Sequence, residues 1–148
     1  AQLALAQTVP VDGAAIVTTP SELSLADAAR GFEMFDTLNV DVMGVVSNMS
    51  RHVCPDCGHE SHIFGDPTLD EELESLDTEL LGDIPLDPEV REQGDAGDPI
   101  VNAKPDSPTT EAFVKLGATI ANKKPVDGDG EEGGEGDEDD GLFSFLKE

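Results

Sequence analysis

The chain has 148 residues and a formal net charge of −25, from 33 acids against eight lysines and arginines. That length suits roughly one domain with one modest core, and with six phenylalanines, no tryptophan and no tyrosine the core must be built from Val, Ile, Leu, Ala and Met. The chain offers no basic patch to neutralise phosphates, which argues against nucleic acid as a partner, and no apolar run approaches the ~20 residues that span a bilayer, so no membrane partner is expected.

Ala1 to Gln7 read as the body of a short helix, with no strand before it. Pro10-Val11-Asp12-Gly13 is turn-like, and residues 13–18, Gly-Ala-Ala-Ile-Val-Thr, read as a short buried strand. Thr19-Pro20-Ser21 signals a helix start, with Ser24 and Asp27 at the spacing of a capping-box variant. Leu25, Ala28, Phe32, Phe35 and Leu38 recur every three or four residues, as one face of a helix does. Asn39 closes that helix, and residues 40–46 form the next strand. Strand, helix and strand on short links make a βαβ unit, which implies parallel pairing.

The segment Cys54-Pro55-Asp56-Cys57-Gly58-His59-Glu60-Ser61-His62 follows that strand and is expected to lie as a loop at a sheet edge. Leu69, Leu73, Leu76 and Leu80 then mark a strongly acidic helix, and residues 80–84 a short strand. Pro85-Leu86-Asp87-Pro88 opens a small helix through Gln93, stopped by Gly94 and Gly97. Ser107-Pro108 supplies an N-cap with proline at the first helical position, and the helix it starts carries Phe113, Leu116 and Ile120 on one face.

From residue 125 the composition shifts to Gly, Asp and Glu, a tract that buries too little apolar surface to order itself. Residues 1–124 are therefore expected to form the folded portion and residues 125–148 a disordered acidic tail, ending in the small apolar patch Leu142 to Leu146. The tail does not account for the charge. Asp127 to Asp140 hold nine acids and Glu148 one more, leaving 23 acids against seven bases in residues 1–126. A body so charged repels itself in dilute buffer and is relieved when molar salt shortens the Debye length to about 3 Å. This is the pattern of a halophile's protein, and the two closely spaced cysteines, too few for a secreted disulfide framework, point to a reducing cytoplasm.

Cys54 and Cys57 are the only cysteines in the chain. Their spacing suits three chemistries. A structural zinc ion would need His59 and His62 as well, crowding four ligands onto one loop. A redox dithiol would need a helix starting at the first cysteine, where Gly58 and His59 read as loop. An iron–sulfur cluster wants four thiolates, and a twofold dimer supplies two from each copy.

Taken in order, Val9 to Pro20, Leu25-Ala26-Asp27-Ala28, Gly44 to Ser50, Cys54 to Glu60 leading to Ile63-Phe64-Gly65, and Leu81 to Arg91 resemble segments of the Mrp/ApbC iron–sulfur carrier ATPases, of the MinD-like P-loop group. The resemblance covers residues 1 to about 121. It implies the C-terminal part of a doubly wound, mostly parallel, three-layer α/β P-loop fold. It further implies a homodimer that bridges a [4Fe-4S] cluster and passes it to apo-proteins, with ATP and Mg as cofactors of the complete protein. On that resemblance Cys54 and Cys57 are the cluster ligands, Asn48 meets the adenine edge, and Pro85 and Asp87 wall the base. From the residues alone, Asn48 reads equally as a turn residue bonded to local backbone and Asp87 as a helix N-cap. The family's Gly-rich phosphate loop and its magnesium-positioning acids would precede residue 1, so the chain carries no assigned catalytic residue and is expected neither to bind ATP tightly nor to hydrolyse it. Asp66-Pro67-Thr68 replaces the family's Gly-Gly turn. The alternative function is a ParA/MinD-type positioning ATPase module holding zinc at the cysteine loop.

Overall fold

In a computed structural model, the structure describes residues 2–54, 56–64 and 69–123. The acidic tail and the Leu142–Leu146 patch lie outside the described residues, as does the Asp66-Pro67-Thr68 departure. The elements in chain order are α1 (Gln2–Thr8), β1 (Ala14–Thr18), α2 (Glu22–Thr37), β2 (Val42–Asn48), β3 (His52–Val53), β4 (Glu60–Ser61), α3 (Leu69–Ser75), β5 (Leu80–Ile84), α4 (Pro88–Ala96), α5 (Ile100–Ala103) and α6 (Pro108–Asn122). No helix among the described residues is long and apolar enough to cross a membrane.

Successive residues of a strand point to opposite faces of its sheet, and Val45 and Val46 on β2 use this to found two cores. Val45 packs with Leu25, Leu69 and Leu73, and Phe32 closes against them. Val46 packs with Leu81 and Ile84 beneath Phe113, Leu116 and Ile120 of α6. The sheet runs β1-β2-β5, parallel throughout, with Ile16 opposite Val45 and Asn48 opposite Ile84. Helices α2 and α3 on one face and α6 on the other give the three α/β layers the sequence predicts.

Local chemistry sets the boundaries. Ser21 caps α2, its side chain accepting from the Ser24 backbone N–H, so the cap pair is Ser21 with Ser24. Asp27 lies a turn further in and bonds Arg30 at 3.1 Å instead, which corrects the expected Ser24–Asp27 box. Asn39, at φ 54°, takes the left-handed conformation that ends the helix. Ser107 caps α6 as expected, with Pro108 inside the first turn.

Three features depart from the sequence reading. Helix α4 runs through Gly94 and stops only at Gly97, an interior glycine costing about 1 kcal/mol, which does not by itself end a helix. The four-residue helix α5 is held by burial of Ile100 rather than by any periodicity. The cysteine segment is not a plain loop at a sheet edge. It is an antiparallel ribbon, β3 with β4, and it rises from the C-terminal end of β2, the central strand.

Candidate functional site

The ribbon holds its cysteines in a tight turn. The Cys54 backbone N–H donates to the His59 carbonyl at 2.9 Å, and the Gly58 N–H returns to the Cys54 carbonyl at 2.8 Å. Gly58, at φ 69°, makes that return with a backbone few other residues adopt. The turn aims N–H groups at a sulfur. The Asp56 backbone N–H first, then the Cys57 N–H and the Cys57 thiol, hold the Cys54 thiol below its ordinary pKa. Such a nest of amides favours a thiolate, the form that binds metal. Both cysteines are free, Cys54 half-buried and Cys57 exposed.

The nearby histidines do not complete a ligand set. His62 Nδ1 pairs with the Ser50 carbonyl at 3.0 Å and His52 Nδ1 with the Leu86 carbonyl at 3.2 Å. Because a carbonyl only accepts, each ring carries its proton on Nδ1 in these bonds. His59 is exposed at the turn. Among the described residues, no three of His, Cys, Asp and Glu converge as metal ligands. The described residues of one copy therefore offer two sulfurs and no closed tetrahedral site.

The ribbon is fastened to the end of β5. The Ser50 N–H donates to the Ile84 carbonyl at 3.1 Å, and the Leu86 N–H to the Arg51 carbonyl at 2.7 Å. The Ser50 hydroxyl donates to Asp83 Oδ2 at 2.9 Å, and the Arg51 guanidinium pairs with the same oxygen. Sequence reasoning missed Ser50, Arg51 and Asp83 as supports. Their partners lie 32 or 33 positions apart, beyond any local pattern.

The residues expected around a nucleotide base gather at that same end of the sheet. Asn48 closes β2 opposite Ile84, so it stands beside the strand that leads into Pro85 and Asp87. Asn48 Oδ1 accepts from the Met49 N–H at 3.0 Å, which is a turn residue's local bond and leaves the amide NH₂ for other work. Asp87 is engaged at both oxygens: Oδ1 accepts from the Glu89 N–H at 2.9 Å and Oδ2 from the Thr109 hydroxyl at 2.7 Å. It caps α4 and ties it to α6. Asn48 also lines a cavity of about 530 Å³ with Ile16, Thr18, Thr19, Ser24 and Phe35, over β1 and α2, but Pro85 and Asp87 do not line it.

Comparison with known proteins accords with this geometry. The chain is 46% identical over 118 residues to an iron-sulfur cluster carrier protein of Pseudomonas fragi, covering 80% of this chain and 41% of that protein. It is 40% identical over 122 residues to the iron-sulfur cluster transfer protein NUBPL of Mus musculus, covering 82% of this chain and 38% of that one. The chain thus spans about two-fifths of the length of these curated relatives. Among solved structures it resembles the septum site-determining protein MinD complexed with Mg-ADP from Pyrococcus horikoshii, at 25% identity and a TM-score of 0.60, over 75% of this chain and 42% of that one. The family described as ParA, NUBPL iron-transfer P-loop NTPase, matches residues 1–121, and this chain belongs to it.

Proposed function

We propose that this chain is part of a carrier that holds an iron–sulfur cluster between two copies of itself and hands it to apo-proteins. The observation that carries the reading is the ribbon turn: two thiols side by side, amides aimed at one of them, and no third ligand within reach among the described residues. Half of a four-thiolate set calls for a second half, and a twofold axis supplies it. Cys54 and Cys57 are the ligands from each copy, and the cargo is a [4Fe-4S] cluster. A cluster held at an exposed turn by two ligands per copy is open to exchange, with client thiolates replacing Cys54 and Cys57 and no net oxidation. The names of the relatives, carrier and transfer protein, favour the same cargo. Two free thiols at this spacing suit a reducing cytoplasm.

The complete protein would bind ATP and Mg, as its P-loop family and the Mg-ADP bound in the MinD relative suggest. Asn48 and Pro85 then meet the base at the strand ends. Asp87 shapes that wall from behind, through its cap on α4 and its bond to Thr109. Binding of nucleotide would bias the pair between geometries of different cluster affinity.

Anaerobic reconstitution with iron and sulfide tests the reading. A brown, oxygen-labile dimer that disappears in Cys54→Ala supports it. A colourless protein holding one tight zinc ion per chain would instead support the alternative of a positioning-ATPase module with zinc at the cysteine turn.

A further inference from the structure

Leu86 stands between Pro85 and Asp87, and both of its backbone groups are held by the stem of the cysteine ribbon. Its N–H donates to the Arg51 carbonyl at 2.7 Å, and its carbonyl accepts from His52 Nδ1 at 3.2 Å. Asp83, one residue before Ile84, adds a further tie: a single carboxylate oxygen takes the Ser50 hydroxyl at 2.9 Å and pairs with the Arg51 guanidinium. Cys54 follows His52 by two residues. The returning strand is drawn onto the same stem, with His62 Nδ1 on the Ser50 carbonyl at 3.0 Å.

These ties matter because the ribbon has little order of its own. It pairs His52 with Ser61 and Val53 with Glu60, two residues to a strand, and even a longer two-stranded ribbon is marginal alone in water. The loop that grips its stem therefore sets the shape of the cysteine turn. The far end of that loop is fixed in turn, since Asp87 accepts from the Glu89 N–H at the start of α4 and from Thr109 of α6. A short series of hydrogen bonds thus joins α4 to the sulfurs, the kind of contiguous contact that can carry coupling between two sites. We propose that Arg51, His52 and Asp83 are positioning residues that make the Pro85–Asp87 loop and the cysteine turn move as one body, so that a nucleotide at the loop and a metal at Cys54 and Cys57 each change the other's affinity. The inference rests on the base-wall and cluster-ligand readings above for its purpose, but it is read without nucleotide or iron.

Coupling is reciprocal, so a ligand on the sulfurs must be felt at the loop. The probe is phenylarsine oxide, added to the iron-free 148-residue chain in about 1 M KCl. Its arsenic forms one bond to each cysteine sulfur, and the two thiol protons leave with its oxygen as water. Amide hydrogen exchange, read residue by residue, reports how often each bond opens. In the wild type the probe should slow exchange at Cys54 and Gly58 inside the turn, and also at Leu86 and Glu89, by about fivefold or more. Asp83→Ala and His52→Phe should each keep the slowing at Cys54 and Gly58 but lose most of it at Glu89. His52→Asn, whose amide still carries a donor, should restore it. A variant that only loosened the fold would speed exchange at both ends without parting their responses, and either variant decides the matter if the other does not fold. Leu86 and Glu89 amides that ignore the probe in the wild type, or respond as fully in Asp83→Ala and His52→Phe, would overturn the proposal. Iron and sulfide uptake is scored separately. Failed uptake in a chain that shows this coupling sinks the cluster reading alone, whereas uptake with uncoupled amides sinks the coupling alone.

Discussion

The Thr109 hydroxyl donates to Asp87 Oδ2 at 2.7 Å while the other oxygen of the same carboxylate accepts from the Glu89 N–H, so one side chain both starts α4 and binds it to the first turn of α6. Thr109 is buried, so its hydroxyl has no ready alternative in water. Asp87→Ala removes the cap, worth about 1 kcal/mol, and strands a buried donor, worth a further ~1–3 kcal/mol. Thr109→Val should cost less, because the half-buried carboxylate can turn to solvent. Urea midpoints at high salt should rank the variants wild type, Thr109→Val, Asp87→Ala, with Asp87→Asn near the wild type because its amide oxygen still caps. Equal midpoints for Thr109→Val and Asp87→Ala would show that the α4–α6 tie, not the cap, dominates.

Gly44 lets β2 reach both neighbours. Its φ of 147° lies where side chains other than hydrogen are strained, and a Cβ there would stand 2.7 Å from both Leu81 Cγ and the Glu79 carbonyl oxygen. The register shifts on each side of this residue, after Ala14 against β1 and after Val45 against β5. Gly44→Ala therefore adds overpacking of about 1–3 kcal/mol to backbone strain of similar size. For a domain of this length that is a large part of its total stability, and loss of cooperative thermal unfolding in molar salt is the expected result. An alanine variant with an unchanged melting curve would mean that β2 can be re-registered at little cost.

The parts of the fold that were legible in the sequence are those carrying long local signals. The apolar run Val42 to Val46, the face Leu25–Ala28–Phe32 and the caps at Ser21, Asp87 and Ser107 each announce an element within a few residues. The cysteine pair was legible too, because spacing alone limits its chemistry. What surrounds it was not. Strands of two residues have no period to detect, so the ribbon His52–Val53 with Glu60–Ser61 reads as loop. The bonds that seat it, Ser50 and Arg51 on Asp83 and His52 on the Leu86 carbonyl, join residues more than thirty positions apart. Helix α5 escaped for a related reason: tertiary burial of Ile100, not local pattern, holds it.

The amides that face Cys54 should be visible in its chemistry. Its thiol is held below the ordinary value by the Asp56 N–H first, then the Cys57 N–H and thiol. In the iron-free protein the alkylation rate of Cys54 should therefore reach half its maximum at a lower pH than in the urea-unfolded chain, whose thiols titrate near 8.5. Between those two values the unfolded chain binds more protons at this sulfur than the folded one. Stability thus rises with pH through that window, is fully present above the unfolded value, and is lost as pH falls through the folded one. Cys57→Ala should move the midpoint only partway back, since the two backbone donors remain. Coincident midpoints in folded and unfolded protein would show that the turn does not hold its amides on the sulfur.

Salt should decide whether the body folds. Every basic residue among the described positions already has an acidic partner: Arg30 with Asp27, Arg51 with Asp83, Arg91 with Asp95, Lys104 with Glu89, Lys115 with Glu111 and Lys123 with Glu79. Most of these pairs are exposed, where each contributes about 1 kcal/mol at most. Among the described residues the acids left over have no further lysine or arginine to answer them, so relief of their mutual repulsion must come largely from solution. With a Debye length of about 10 Å at 0.1 M and 3 Å at 1 M, that relief grows across the intervening range. The far-UV helix signal should accordingly fall below roughly 0.5 M KCl and return on adding salt, whereas sucrose, which carries no charge, should restore much less of it. Cooperative unfolding that persists unchanged in dilute buffer would mean that burial around Val45 and Val46 outweighs the repulsion without help, and the halophilic reading of the composition would fall.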